Sequence, residues 1–398
     1  MAHLPLKNIK VIELANGLAG PGIATFLSDF GADVIKIEHP KKGDMLRTYP
    51  LMKDGVPLYF KIIARNKKTI TLDLHAEQSK EILGDLLKDA DVLTESFRPG
   101  VMERFGFGYE AVKAINPRIV MARLSAYGQT GPNSKKPGFA TVADAYSGLA
   151  YQQGQPGSQP LLAPYGYSDQ IAAIIGSYAV MTALYERDTI SDEGQELDLT
   201  IYQGPFNFVG PHVTWYDQIG YITERMGNRV PNAAPRNLYK TKDNKWLVVA
   251  CSSPSMFERI CTSIERRDLL EQEDLLTAEG RVARVDEIDD IMQAWAGTKT
   301  LDEALAIMES NEVAAGPVLS VQDIFEDPHY TARGDITTVD DDELGQVKMQ
   351  NVLFGMSRTP GNIRFAGQKL GAYNNEIFGE MLGYSDEKIA ELKKKGVI

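Results

Sequence analysis

The chain has 398 residues, room for two domains at about 150 residues each. Its 42 Lys and Arg against 54 Asp and Glu give a net charge of -12, which argues against a nucleic-acid binder, since that needs a basic face. Hydrophobic residues make up 43%, ordinary globular usage, and the two cysteines, Cys251 and Cys261, lack the companions of a disulfide scaffold or a zinc site.

The amino terminus has no charged segment followed by an apolar run, so no signal peptide is expected, and the scarce cysteines fit a reducing, cytoplasmic setting. Residues 9–14 read as a strand, a small-residue loop follows over 15–21, then a helix over 22–30 and a strand over 33–38. The alternation continues: extended at 69–74, helix 79–87, strand 91–95, helix 109–115, strand 118–125. Strands alternating with helices imply a parallel sheet covered on both faces, an α/β Rossmann-like large domain. Residues 126–167, rich in Gly, Pro, Ser and Gln, are too long for a plain connection and read as a functional loop. The apolar run 170–185 falls short of the roughly 20 residues of a membrane span and reads as a buried helix, so no membrane contact is expected.

A strand at 196–202 leads into an aromatic stretch holding Phe206, Phe208, His212, Trp215, Tyr216 and Tyr221. These rings are either core and interface packing or the lining of an apolar acyl site. A strand at 245–252, helices at 255–264, 285–295 and 301–310, and an extended piece at 318–320 form a smaller α+β domain. Beyond 335 the chain is extended and loop-rich, closing with helices at 374–382 and 385–395. The expected boundaries are 1–200 for the large domain, completed by 331–398, a linker at 201–224, and the small domain at 225–330.

The first loop, Gly17-Leu18-Ala19-Gly20-Pro21-Gly22, spaces its glycines as G-x-x-G-x-G, not as the dinucleotide fingerprint, which disfavours an oxidoreductase. It is either a tight βα turn or an anion site at a helix N-terminus. The five histidines (His3, His39, His75, His212, His329) are scattered without ligand spacing, so no metal is expected, and no hydrolase elbow is present. Asp169 stands at the start of the apolar helix, where either Ser168 or Asp169 is an N-cap, or Asp169 is a carboxylate held at a positive helix end.

Several short motifs stand out when taken in order along the chain. They are Val11-Ile12-Glu13-Leu14-Ala15, Ala19-Gly20-Pro21, Gly31 to Glu38, Gly43-Asp44 with Arg47, and Asn66-Lys67-Lys68 with Thr71 to Leu74. Phe97-Arg98-Pro99-Gly100, Asn116-Pro117-Arg118, Tyr127 to Pro132, Pro137-Gly138-Phe139, Gly194-Gln195 with Asp198, Asp327-Pro328-His329 and Leu382 to Ser385 follow. In this order they resemble the class III CoA-transferases, which include the formyl-CoA, carnitine and bile-acid CoA-transferases. The resemblance implies an acyl-CoA:carboxylate CoA-transferase with Asp169 as covalent nucleophile, working through a mixed anhydride and an aspartyl-CoA thioester. It implies no cofactor beyond the CoA thioester substrates, an acyl-CoA and a free carboxylic acid as partners, and ring-shaped chains in an interlocked homodimer, or a heteromer with a second homologous subunit. By the same resemblance the CoA site holds Asn16, Leu18, Ala19, His39, Leu72, His75, Ser96, Phe97, Arg104 and Lys136. Arg104 is either a phosphate ligand or a solvated surface arginine.

The chain also departs from the family pattern. Pro231 to Asn237 replaces the glycine run of the formyl-CoA branch, Ala140 replaces an acid, Asp144 stands where Gln is usual, and Gly371 to Asn374 lacks a His. Phe139 occupies the place of the basic His of 2-methylacyl-CoA racemases, which share the fold and are one alternative; a non-catalytic CoA-binding subunit is another.

Overall fold

The structure is a computed structural model and describes residues 4–398. It divides into two compact units, residues 4–150 with Leu162–Tyr221 and Ala332–Ile398, and Tyr151–Leu161 with Ile222–Thr331.

The first unit is built on six parallel strands: β1 (Lys10–Glu13), β2 (Asp33–Glu38), β3 (Lys67–Thr71), β4 (Val92–Glu95), β5 (Val120–Ser125) and β6 (Glu196–Thr200). Their spatial order is β3-β2-β1-β4-β5-β6. Successive side chains point to opposite faces, and both faces are covered, which is why these strands read as nearly unbroken apolar runs. Ile12, Ile35, Ile70, Leu93 and Met121 face a helix over Ser79–Lys88 and the carboxyl-terminal segment, where Phe378, Ile389 and Leu392 are buried. Val11, Val34, Val92, Val120 and Ala122 face helices α1 (Ala19–Asp29) and α2 (Tyr167–Glu186).

The helix α1 begins at Ala19, three residues before the expected start, because Pro21 is tolerated in a first turn, where its missing N–H would have no helical partner. The glycines around it have separate reasons. Gly17 has φ +81°, and a Cβ on Gly20 would sit 2.6 Å from the Ala15 Cβ. A Cβ on Gly22 would sit 2.6 Å from that of Ala173, so α1 and α2 approach through small residues.

The helix α2 is buried along one side only, through Ala172, Ala173, Gly176, Val180, Ala183 and Leu184. Ile174, Tyr178, Met181 and Tyr185 form an exposed stripe at helical spacing, so the fully buried helix expected from the sequence is corrected. The expected linker 201–224 is corrected too: it carries helices Gln203–Phe208 and His212–Ile219, and its residues to Tyr221 belong to the first unit. Gly204 seats this segment, since a Cβ there would meet Ile171 at 2.6 Å. The loop 126–167 holds short helices at Ala140–Tyr146 and Leu149–Gln152.

In the second unit, strands Ala315–Pro317, Trp246–Ala250 and Arg236–Lys240 form an antiparallel sheet. Tyr239, Leu247 and Val249 pack with Phe257, Ile260, Met292 and Met308 from its helices. The extended piece expected at 318–320 is displaced to Ala315–Pro317, because Ser320 instead begins a capping box with Asp323. Cys251 and Cys261 are free and buried, and burial pushes the Cys261 thiol up to about 12.

Candidate active site

The strand order of the first unit reverses between β1 and β4, and the crevice beyond their carboxyl ends is where open α/β sheets receive ligands. The chain leaves β1 through Asn16 and β4 through Ser96, and the two segments are joined there. The Asn16 N–H donates to Ser96 Oγ at 2.9 Å, and Asn16 Oδ1 accepts from the Met45 N–H at 2.8 Å.

Buried ions fix the loop that follows β1. The Glu13 carboxylate, fully buried, accepts from Lys36 Nζ at 2.8 Å and Lys67 Nζ at 2.7 Å, and Lys36 also meets Asp44 at 2.7 Å. The same ammonium groups reach the loop backbone: Lys36 donates to the Ala15 carbonyl at 3.0 Å and Lys67 to the Pro21 carbonyl at 2.7 Å. Asp44 in turn accepts from the Gly17 N–H at 3.2 Å. Burial pushes Lys67 down to about 8; for Lys36 burial acts the same way, but Glu13 and Asp44 outweigh it and hold its charge. Arg47 completes the set with Glu38 at 2.6 Å. Such pairs contribute little net stability, yet each fixes backbone position.

Three cavities line up along this edge and share residues. Lys80, Arg104, His75, Phe97 and Phe105 line one. His75, Phe97 and Phe105 also line the next, with Asn16, His39 and Leu72. Asn16 also lines the third, of about 410 Å³, with Gly17, Leu18, Ala19, Ser96, Phe139, Gly166 and Asp169. His75 meets the Phe105 ring edge-on at 5.1 Å, and His39 Nδ1 accepts from the Lys41 N–H at 3.1 Å. Nine of the ten residues expected at the CoA site therefore line this run of cavities. Lys136 is the exception, exposed on a turn outside them.

Asp169 is not the helix cap. The helix α2 starts at Tyr167, and Gly166 with φ +61° stands at the cap position with no side-chain capping bond. The Ser168 hydroxyl, the other candidate cap, donates to buried Asp144. Asp169 occupies the third helical position, partly buried, with its carboxylate beside Gly166: a Cβ there would lie 3.0 Å from Oδ2. Burial, then the Asp144 charge, push the Asp169 carboxyl up to about 7. Tyr59, hydrogen-bonded with Gln170, lies close enough to feel that charge; burial first, and then Asp169, raise its phenol, against the pull of Gln170.

The arrangement suits nucleophilic chemistry on a long anionic ligand. Cations Lys80 and Arg104 stand at one end. A carboxylate poised near neutrality stands at the other, faced by the uncapped N-terminus of α1, whose residues Leu18 to Gly20 line the same cavity. Sequence reasoning missed Tyr59, Lys80, Phe105 and Gly166, which carry no local motif. Asp144 had one signal, its unusual identity at that position.

The aromatic stretch falls elsewhere. None of Phe206, Phe208, His212, Trp215, Tyr216 and Tyr221 lines the cavity holding Asp169. Phe208 and Tyr216 are well exposed, while Trp215 packs against His212 and Tyr221. Among the described residues no three His, Cys, Asp or Glu gather to hold a metal, and no helix is long and apolar enough to cross a membrane. His3 lies outside the described residues.

A family model described as CoA-transferase family III matches residues 6–374. The chain is 36% identical over 395 residues to succinyl-CoA–D-citramalate CoA-transferase of Chloroflexus aurantiacus, covering 99% of this chain and 98% of that one. It is 37% identical over 401 residues to the alpha subunit of succinyl-CoA–L-malate CoA-transferase from the same organism, covering 100% and 93%. A crystal structure of a CAIB/BAIF family protein from Brucella suis superposes with a TM-score of 0.83 at 29% identity, covering 95% of this chain and 99% of that one.

Proposed function

Because the chain belongs to CoA-transferase family III and is a CoA-transferase, we propose that it moves CoA from a donor acyl-CoA to an acceptor carboxylic acid with Asp169 as covalent nucleophile. The observation that carries the reading is Asp169 at one end of a run of cavities whose other end holds Lys80 and Arg104. CoA lies along that run, its phosphates toward the cations and its thioester at Asp169. An Asp169 oxygen attacks the thioester carbon; the C–O bond forms, the C–S bond breaks, and CoA leaves as thiolate. The thiolate then attacks the aspartyl carbonyl of the mixed anhydride and releases the donor acid. The acceptor carboxylate attacks the aspartyl-CoA thioester, giving a second anhydride and the thiolate again. Attack of the thiolate on the acceptor acyl carbon makes product and restores Asp169. The first-turn N–H groups of α1 serve the oxyanions of these steps, and the reading calls for no further cofactor.

Incubation with paired acyl-CoAs and free acids, read by mass detection of exchanged CoA, tests this reading. Succinyl-CoA with citramalate or malate, the compounds in the relatives' names, heads the panel; arylalkyl acids test the apolar alternative. Exchange with none of the pairs would favour a non-catalytic CoA-binding subunit. The racemase alternative is disfavoured by Phe139, which lines the Asp169 cavity without a basic group. In deuterated water a 2-methylacyl-CoA is expected to keep its α-proton while CoA exchanges; fast deuterium uptake would restore that alternative.

We also propose an interlocked homodimer acting in the cytoplasm, with a heteromer the other assembly that the relative's subunit name brings into view. The apolar stripe of α2 supports an assembled state, as does the groove it forms with Phe26, Phe30, Leu353 and Phe354.

A further inference from the structure

We propose that Asp144 is a positioning residue for Asp169, anchoring its helical turn through the Ser168 hydroxyl and pressing a second negative charge on the reacting carboxylate. The inference rests on the reading of Asp169 as nucleophile. Asp144 lies in the short helix Ala140–Tyr146 and is only 2% exposed; Ser168, its hydrogen-bond partner, is fully buried. Burying a carboxylate is costly, and a neutral side chain of similar shape would accept from the Ser168 hydroxyl without the charge. The charge therefore needs another reason. Ser168 precedes Asp169 in the first turn of α2, so the tether holds the turn that aims the nucleophile.

The groups facing Asp169 from the elements around it are few. Asp144 comes from the Ala140–Tyr146 helix, and the Tyr59 phenol from the helix Leu58–Ile63, held by Gln170 of α2 itself. On the cavity wall Tyr49 adds a second phenol, while Leu18, Ala19, Phe139 and Gly166 carry no charge. Among the described residues Asp144 is the full charge that acts on the nucleophile, and it is of the same sign. A carboxylate made more basic is a stronger nucleophile toward the thioester carbon, where the C–O bond forms as the C–S bond breaks. It also leaves the anhydride less readily, so acyl transfer to Asp169 is favoured at the expense of an acid limb close to neutrality.

The test is the pH dependence of kcat/KM from about pH 5 to 9 for the parent, Asp144→Asn and Ser168→Ala, with hydroxylamine trapping at residue 169 in each. Asp144→Asn is expected to move the acid limb down by about 0.5–1 pH unit, raising the fraction of maximal activity at pH 5.5 roughly three- to tenfold. Ser168→Ala keeps the charge and loses the tether; its kcat is expected to fall several-fold more than its KM changes, with the acid limb in place. A folded Asp144→Asn enzyme that is trapped at Asp169 but keeps the parent profile would overturn the proposal and leave the nucleophile standing. Loss of trapping in the parent would instead remove the nucleophile itself. If Asp144→Asn fails to fold, an unchanged kcat in Ser168→Ala overturns the tether by itself.

Discussion

At residue 169, stability and reactivity pull in opposite directions. The carboxyl is pushed up from 3.8 to about 7, first by burial and then by Asp144. Between those two values the folded state holds a proton that the unfolded state has released, so stability falls as pH rises through that window and stays low above it. Asp169→Asn carries no charge and escapes the loss. It is expected to melt on the order of 2 °C above the parent at pH 8, with the difference vanishing near pH 4, while activity drops at least about a thousandfold. Thermal melts at both pH values and an exchange assay check this; a variant less stable at pH 8 would contradict it. The sequence carried the identity of this residue but not its position in the helix. Asp before an apolar run reads as a cap, whereas the helix starts at Tyr167 with Gly166 at the cap position, and the charge beside Asp169 comes from Asp144, distant in the chain. Tyr59 and Gly166 were illegible for the same reason: their importance lies in what stands opposite them in space.

At the scale of elements, the strands of the parallel sheet were legible because burial on both faces leaves continuous runs such as Val34 to Ile37. Helices were legible where one face is apolar, as at Ile82, Leu83, Leu86 and Leu87. Short pieces were not. Val101–Phe105 and Ala140–Tyr146 offer one or two turns, too few for a period to show, and they frame the site. The glycines after β1 left a tight turn and an anion site as alternatives, and contacts from Ala15, Ser96 and Ala173 account for two of them. Gly22→Ala places a methyl 2.6 Å from the Ala173 Cβ and must part α1 from α2. The expected cost is about 1–3 kcal/mol in a denaturant titration, with a matching loss of activity because both helix starts line the Asp169 cavity. Full stability in that variant would show that the helices have slack the packing denies.

Across the whole molecule, residues 332–398 return to the first unit, where Phe378, Ile389, Leu392 and the terminal Val397 and Ile398 bury themselves on the sheet. Truncation within that tail would strip one face of the core. The opposite side of the unit leaves Ile174, Tyr178 and Met181 exposed beside Phe354. If the interlocked dimer covers such surface, light scattering should report twice the chain mass even after dilution to nanomolar concentration; a monomer there would contradict it. A covalent aspartyl intermediate in the intact enzyme is caught by mixing the enzyme with a donor acyl-CoA, quenching with hydroxylamine and sequencing the peptides by mass spectrometry. A hydroxamate is expected at Asp169, absent in Asp169→Asn and absent without donor. Sustained CoA exchange with an unmodified Asp169 peptide would contradict it.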